Sequence, residues 1–300
     1  MTTGLQEKLN SGKFVMTAEV TPPLSSNPDD LLAKALPLKG YADAVNVTDG
    51  ASAKTHLDAL IAAIILKDNG IEPILQLTCR DRNRIALQSE LIGAAAMGVE
   101  NILVLTGDDP KKGDQPDAKP VFDLNSAELI ATAVHIRDKG ELPHGRKVNG
   151  NPSWFIGVAD APLDPPEGWT PKGLAPKIAA GGQFAQTQFC MDADVLRRYF
   201  QRLDDNGLGG KLKYIIGVCP PASAKQARWI KENLFGVVMP DWVVDRMEGA
   251  ENPKAEGQKI CAEIILQLAD VPGVCGVHIM APINEASIPG VVDMVRAAGK

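Results

Sequence analysis

Apolar runs of strand length, each ending in polar residues, alternate along this chain with segments of helical period. The runs are "FVMTAEVTPP", "DAVNVTDG", "EPILQLTC", "NILVLTGDD", "WFIGVADAP", "FAQTQFCM", "YIIGVCPP" and "VCGVHIMAP". Between them, "THLDALIAAIILKDNG" spaces Leu57, Leu60, Ile61, Ile64 and Ile65 as one helical stripe. It reaches Gly70 where a C-terminal cap belongs. "DRNRIALQSELIGAAAMG" predicts a helix capped by Asp81 and closed by Gly98, and "DADVLRRYFQRLDDNG" predicts one from Asp192 to Gly207. Strands that alternate with helices pair in parallel through right-handed crossovers. Eight such units without a linker-like break predict one α/β domain over residues 1–300, a closed (β/α)8 TIM barrel.

On such a barrel the chemistry sits where the strands exit. Excursions at 108–122 and 160–172 follow the fourth and fifth strands, and 235–252 enlarges the seventh unit. "RDKGELPHGRKVNGNP" precedes a strand, so its His144 belongs to a solvated loop on the opposite face. The polar residues at the eight exits are Glu19; Asn46, Thr48 and Asp49; Gln76 and Thr78; Thr106, Asp108 and Asp109; Asp160; Gln186 and Gln188; Ser223; and Asn284 with Glu285. Acids set against apolar walls suit proton transfer, because desolvation raises carboxyl pKa values. Amides suit the orientation of a heteroaromatic ring through paired donor and acceptor. Helix capping accounts for Asp81, Asp123 and Asp192. It does not account for Glu19, because "VTPP" follows and the next helix waits until Asn27–Pro28.

Composition narrows the partners. Net charge is −6 with pI near 5.3 and no basic stripe, which argues against nucleic acid and anionic membrane surfaces. "MTTGLQEKLNSGK" has no apolar signal core, and no apolar stretch reaches a membrane span. Cys79, Cys190, Cys219, Cys261 and Cys275 form an odd set without a CxxC pair, as expected of reduced core thiols in a cytoplasmic protein.

Several chemistries lack their motif. No GxGxxG follows a strand, "GGKLK" lacks the Ser or Thr of a phosphate-binding loop, and no HExxH occurs. Histidines stand scattered at 56, 135, 144 and 278, which supports neither a metal site nor a Ser–His triad. His278, in the last strand, reads as a core or rim histidine. Lys177, on a short helix behind the fifth loop, reads either as a solvated lysine or as a cation for a cofactor phosphate. Trp154, Trp229 and Trp242 read as structural, with Trp169 the one placed to touch a ligand.

These pieces converge. Over nearly its whole length the sequence resembles the methylenetetrahydrofolate reductase family, through "AEVTPP", "VNVTDG", "QLTCRDRNR", "ILVLTGDDP", "KPVFDLNSAELI", "KIAAGGQFAQTQF", "MPDWVVDRMEG" and "GVHIMAPINEASIP". The resemblance implies a barrel that holds FAD at its rim and reduces 5,10-methylenetetrahydrofolate to 5-methyltetrahydrofolate, with NADH or NADPH reloading the flavin. Glu19 matches the family's general acid, Asp108 the aspartate near flavin and pterin, and Gln188 the glutamine on the pterin edge. Thr48, Gln76, Leu105, Thr106, Gly107, Asp108, Asn125, Ser126 and Lys177 fall at FAD-contacting positions. Departures are Gln76 for a histidine, Thr106 for an arginine, a missing tyrosine in "NSAEL", Ala224 for a stacking aromatic, and Gly173 and Pro176 beside Lys177. The resemblance also leaves open a flavin-free reductase using NADH directly, a subunit that needs an electron-transfer partner, and assembly into homo-oligomers.

Overall fold

The computed structural model describes residues 2–300. Eight strands run β1 Val15–Val20, β2 Ala44–Val47, β3 Pro73–Thr78, β4 Asn101–Leu105, β5 Phe155–Asp160, β6 Phe184–Phe189, β7 Lys213–Val218 and β8 Val274–Ile279. All pair in parallel with their sequence neighbours, and β8 closes on β1 in the order β1 to β8, so the expected barrel is observed. The closure sets Thr17 opposite His278 and Ala18 opposite Ile279.

Because successive side chains on a strand face opposite ways, each strand feeds two cores. The outward residues, such as Met16, Ala18 and Val20 of β1 or Leu75 and Leu77 of β3, pack beneath the helices in one large apolar cluster. The inward residues Val15, Ala44, Ile74, Leu103, Phe155, Phe184 and Ile215 form a second, smaller cluster inside the barrel. There Phe155 and Phe184 stack with ring centroids 4.7 Å apart. A Cβ on Gly157 would lie 2.3 Å from the Phe184 ring, so only glycine leaves room for it.

The inner cluster is closed from below by the helix Gly4–Asn10, whose Leu5 and Leu9 are fully buried against it. Thr3 caps this helix through Gln6 N, and the Glu72 carboxylate accepts from Leu5 N at 2.9 Å. An acid at that end also suits the helix dipole. The segment that the sequence marks only as lacking a signal core is therefore a plug.

The helical expectations hold in outline and shift in detail. Residues Ala59–Asp68 form a helix that ends at left-handed Gly70, but its fully buried face is Ala59, Ala62, Ala63 and Leu66. Leu57, Leu60, Ile64 and Ile65 flank that face, and Ile61 is exposed. Asp192 does cap the helix Ala193–Asp205. Asp81 and Asp123 do not cap. Asn83 and Asn125, two residues later, take those positions, while the carboxylates pair with Arg80 and Arg84. The seventh unit is enlarged as expected, with helices Ala224–Asn233, Asp241–Glu248 and Pro253–Ala269 before β8.

Candidate active site

Inside the barrel mouth the inward series turns polar. Thr17, Asn46, Gln76, Gln186 and His278 are all buried one step above the apolar cluster, and Glu19 stands above Thr17 with a partly exposed carboxylate. Gln76 Nε2 donates to Glu19 Oε2 at 3.1 Å, and His278 Nε2 lies 3.5 Å from the same oxygen. Two of the expected site residues, Glu19 and Gln76, thus meet. His278, read from sequence as a plain core or rim residue, joins them. Its other nitrogen, Nδ1, is 3.0 Å from Thr17 Oγ1. Thr17 Oγ1 accepts from Gln186 Nε2 at 3.1 Å, and Gln186 Oε1 accepts from Asn46 Nδ2 at 2.6 Å. Neutral amides and a hydroxyl can be buried in this way because each finds a partner.

The other expected residues are arranged around this core. Thr48, at the exit of β2, is buried with a hydroxyl that has no partner. Leu105 ends β4, and its carbonyl accepts from Cys79 N. Thr106 is exposed. Gly107 has φ +98°, and a Cβ there would meet Arg80 Cβ at 2.8 Å, so this turn presses the β4 exit onto the β3 exit. Asp108 is exposed, and its Oδ2 accepts from Ser52 N at 2.9 Å. Ser52 and Ala53 both take left-handed backbone (φ +57° and +54°) to make that clasp, an unfavourable conformation for non-glycine residues. Gly113 packs on the Ala53 carbonyl and Asp114 accepts from Thr55 N, so the loops after β2 and β4 are bound together.

Gln188 lies at a bulge. Between Gln186 and Phe189 strand β6 carries one residue more than β7, and Thr187 Oγ1 accepts the stranded Gly217 N–H. Such bulges re-aim side chains next to sites. Gln188 Oε1 accepts from Phe189 N, which leaves its Nε2 without a protein partner among the described residues. Asn125 and Ser126 start the helix Ser126–Lys139, with Asn125 engaged in a reciprocal capping box with Glu128. Lys177 is half-buried and its Nζ donates to the Ala159 carbonyl at 2.6 Å. Burial pushes its ammonium pKa down, with Asp160 opposing. Asp160 itself accepts from Tyr199 and Tyr214, and Trp169 packs edge-on against Tyr199, so this corner is structural. Beneath the β2 and β3 exits Arg82 pairs with both Asp49 and Glu90. Burial outweighs that pairing for Glu90 and raises its pKa.

Residues 4–296 match the family model described as methylenetetrahydrofolate reductase. The chain belongs to the methylenetetrahydrofolate reductase family. It is 24% identical over 270 residues to 5,10-methylenetetrahydrofolate reductase of Pectobacterium carotovorum subsp. carotovorum, covering 87% of this chain and 82% of the relative. It is 26% identical over 243 residues to a probable NADPH methylenetetrahydrofolate reductase of Caenorhabditis elegans, covering 78% of this chain but only 34% of that longer relative. Among solved structures, a Clostridium thermocellum protein that binds two copies of 5-methyl-5,6,7,8-tetrahydrofolic acid superposes with TM-score 0.65 at 17% identity, covering 98% of this chain and 99% of the other. At that identity the likeness speaks for the fold. Among the described residues no helix is long and apolar enough to cross a membrane, and no metal-ligand cluster is present.

Proposed function

We propose that this chain reduces 5,10-methylenetetrahydrofolate to 5-methyltetrahydrofolate, with Glu19 as the general acid. Family membership sets the reaction class. The observation that carries the residue assignment is Glu19 itself, a carboxylate inside the barrel mouth whose Oε2 faces two side-chain nitrogens and whose Oε1 has no protein partner among the described residues. Protonated, Oε1 delivers its proton to N10 of the folate as the bond from N10 to the methylene carbon breaks. That leaves a cationic iminium at N5, which accepts hydride at the same carbon. Gln188 Nε2 is available to donate to the pterin edge, and the Asp108 charge favours the cationic iminium electrostatically.

The residues at the β2, β3 and β4 exits fit a flavin ring. Thr48 offers a buried hydroxyl without a partner, Gln76 an inward amide, and Gly107 a half-buried turn that no side chain could occupy. FAD, when bound, supplies a two-electron carrier between NAD(P)H and the methylene carbon. A nicotinamide donor accords with the NADPH in the nematode relative's name, and burial of four thiols accords with a cytoplasmic setting.

A second reading, hydride passed directly from NADH without flavin, draws on Lys177. Its ammonium is committed to the Ala159 carbonyl rather than offered to a phosphate, and Gly173 and Pro176 add no charge beside it. An absorbance spectrum of the purified protein separates the two readings, since flavin bands exclude the second. For the acid, Glu19→Gln should keep reduction by the nucleotide donor and slow reduction of the methylene substrate by about 10²- to 10⁴-fold in stopped-flow measurements. Normal turnover by this variant would overturn the assignment.

A further inference from the structure

Four of the side chains beneath Glu19, namely Asn46, Gln186, Thr17 and His278, form one hydrogen-bonded string, and its direction matters. Asn46 Nδ2 donates to Gln186 Oε1, and Gln186 Nε2 donates to Thr17 Oγ1. Thr17 then holds its own hydroxyl proton, which has two acceptors within reach, His278 Nδ1 at 3.0 Å and the Val277 carbonyl at 3.4 Å. The nearer is His278 Nδ1. A nitrogen that accepts carries no proton, so neutral His278 bears its proton on Nε2, the nitrogen that faces Glu19 Oε2. The other tautomer, with Nδ1–H donating to Thr17 Oγ1, would turn the hydroxyl to the longer 3.4 Å contact with Val277. It would also set the Gln186 Nε2 donor 3.5 Å from a protonated Nδ1 and leave the bare Nε2 lone pair facing the Glu19 carboxylate.

We propose that His278 is a positioning residue that acts through Glu19. Its Nε2–H faces Oε2 from 3.5 Å while the Gln76 amide donates to the same oxygen at 3.1 Å, and the two donors together bias the acid's proton to Oε1, the oxygen left for substrate. With the opposite tautomer, Nε2 would be a bare acceptor that competes for that proton. His278 is the only basic group within 4 Å of the Glu19 carboxylate among the described residues. Around it β3 contributes the uncharged Gln76, and β1 the uncharged Thr17. Position 278 therefore governs how often Glu19 is loaded in the productive geometry. This inference rests on Glu19 being the acid.

Nitrogen-15 NMR of histidine-labelled full-length protein at neutral pH tests it, with the His278 signals assigned by their loss in His278→Gln. The expected spectrum shows protonation at Nε2 and a bare Nδ1. Thr17→Val should mix the two tautomers, and Thr17→Ser should restore the Nε2–H form. In kinetics His278→Phe should slow the methylene-substrate step by about 10- to 100-fold, the loss that misplacing a catalytic group brings. Reduction by the donor and affinity for 5-methyltetrahydrofolate should stay unchanged. His278→Gln, whose Nε2 can still donate, should stay within about threefold of the parent. A proton on Nδ1, or full rate in His278→Phe beside an inactive Glu19→Gln, would overturn this inference and leave the acid assignment standing. Full rate in Glu19→Gln would overturn both.

Discussion

The lower and upper halves of the barrel interior are built from the same strands to opposite ends. Reading inward residues in steps of two, β1 passes from Val15 to Thr17 to Glu19, and β2 from Ala44 to Asn46 to Thr48. β3 passes from Ile74 to Gln76 to Thr78, and β6 from Phe184 to Gln186 to Gln188. Each series begins apolar, turns to an uncharged hydrogen-bonding side chain, and finishes at the rim. The lower half gains its stability from burial of large side chains and from the Leu5–Leu9 plug. The upper half gains little from burial, since its amides only exchange water partners for protein partners. What it provides instead is a fixed arrangement of donors under one carboxylate. Neutral groups suit that purpose, because a buried charge there would need a compensating partner of its own.

The largest effects are expected in the lower half. Phe184→Ala removes a ring from the Phe155 stack and should cost about 3–5 kcal/mol in urea unfolding. Leu5→Ala should cost about 2–5 kcal/mol by opening the plug. In both variants the folded fraction should keep its specific activity. Loss of catalysis out of proportion to unfolding would mean that the halves are coupled. Gln186→Leu should reverse the pattern. It strands Thr17 and Asn46 at a cost of about 1–3 kcal/mol, yet slows the folate step by about tenfold through Glu19. A smaller effect is expected at the clasp between the loops. Asp108→Ala frees the Ser52 amide, and the left-handed pair Ser52–Ala53 should relax, read as faster amide exchange across 50–56 with thermal stability lowered by about 1 kcal/mol or less.

The barrel was legible because its evidence is local. Strand-length apolar runs and helix punctuation repeat eight times within short windows, and no distant contact is needed to read them. The caps failed locally too. Asp81 and Asp123 stand next to or opposite arginines, and Arg80 and Arg84 draw their carboxylates away while Asn83 and Asn125 cap instead. Glu19 was legible as an acid out of place in a strand. Its relation to His278 was not, since it depends on β8 closing against β1 in a register joining residues 261 positions apart. The plug escaped notice because two leucines in a short polar segment carry almost no pattern. Lys177 shows the limit from the other side, for spacing places a lysine but cannot say that its ammonium turns onto Ala159.

The cysteines give the finest probe of the two layers. Cys79, Cys190, Cys219 and Cys261 belong to the outer apolar cluster and are fully buried. Burial pushes the Cys79 thiol up to about 11 and the Cys190 and Cys219 thiols up to about 12. Thiolate is the reactive form, so at pH 8 these groups are almost entirely unreactive while the barrel stays folded. Cys275 differs. It is the extra residue where β8 outruns β7, it packs against the inner cluster, and it is only half-buried. Iodoacetamide at pH 8 should therefore label Cys275 first and slowly, and the other four only as the chain unfolds, as peptide mass mapping would read. Because Cys275 lies in the layer that the plug protects, Leu5→Ala should accelerate its labelling without exposing the outer four. Acceleration at all five together would show that the inner cluster does not open separately from the outer one.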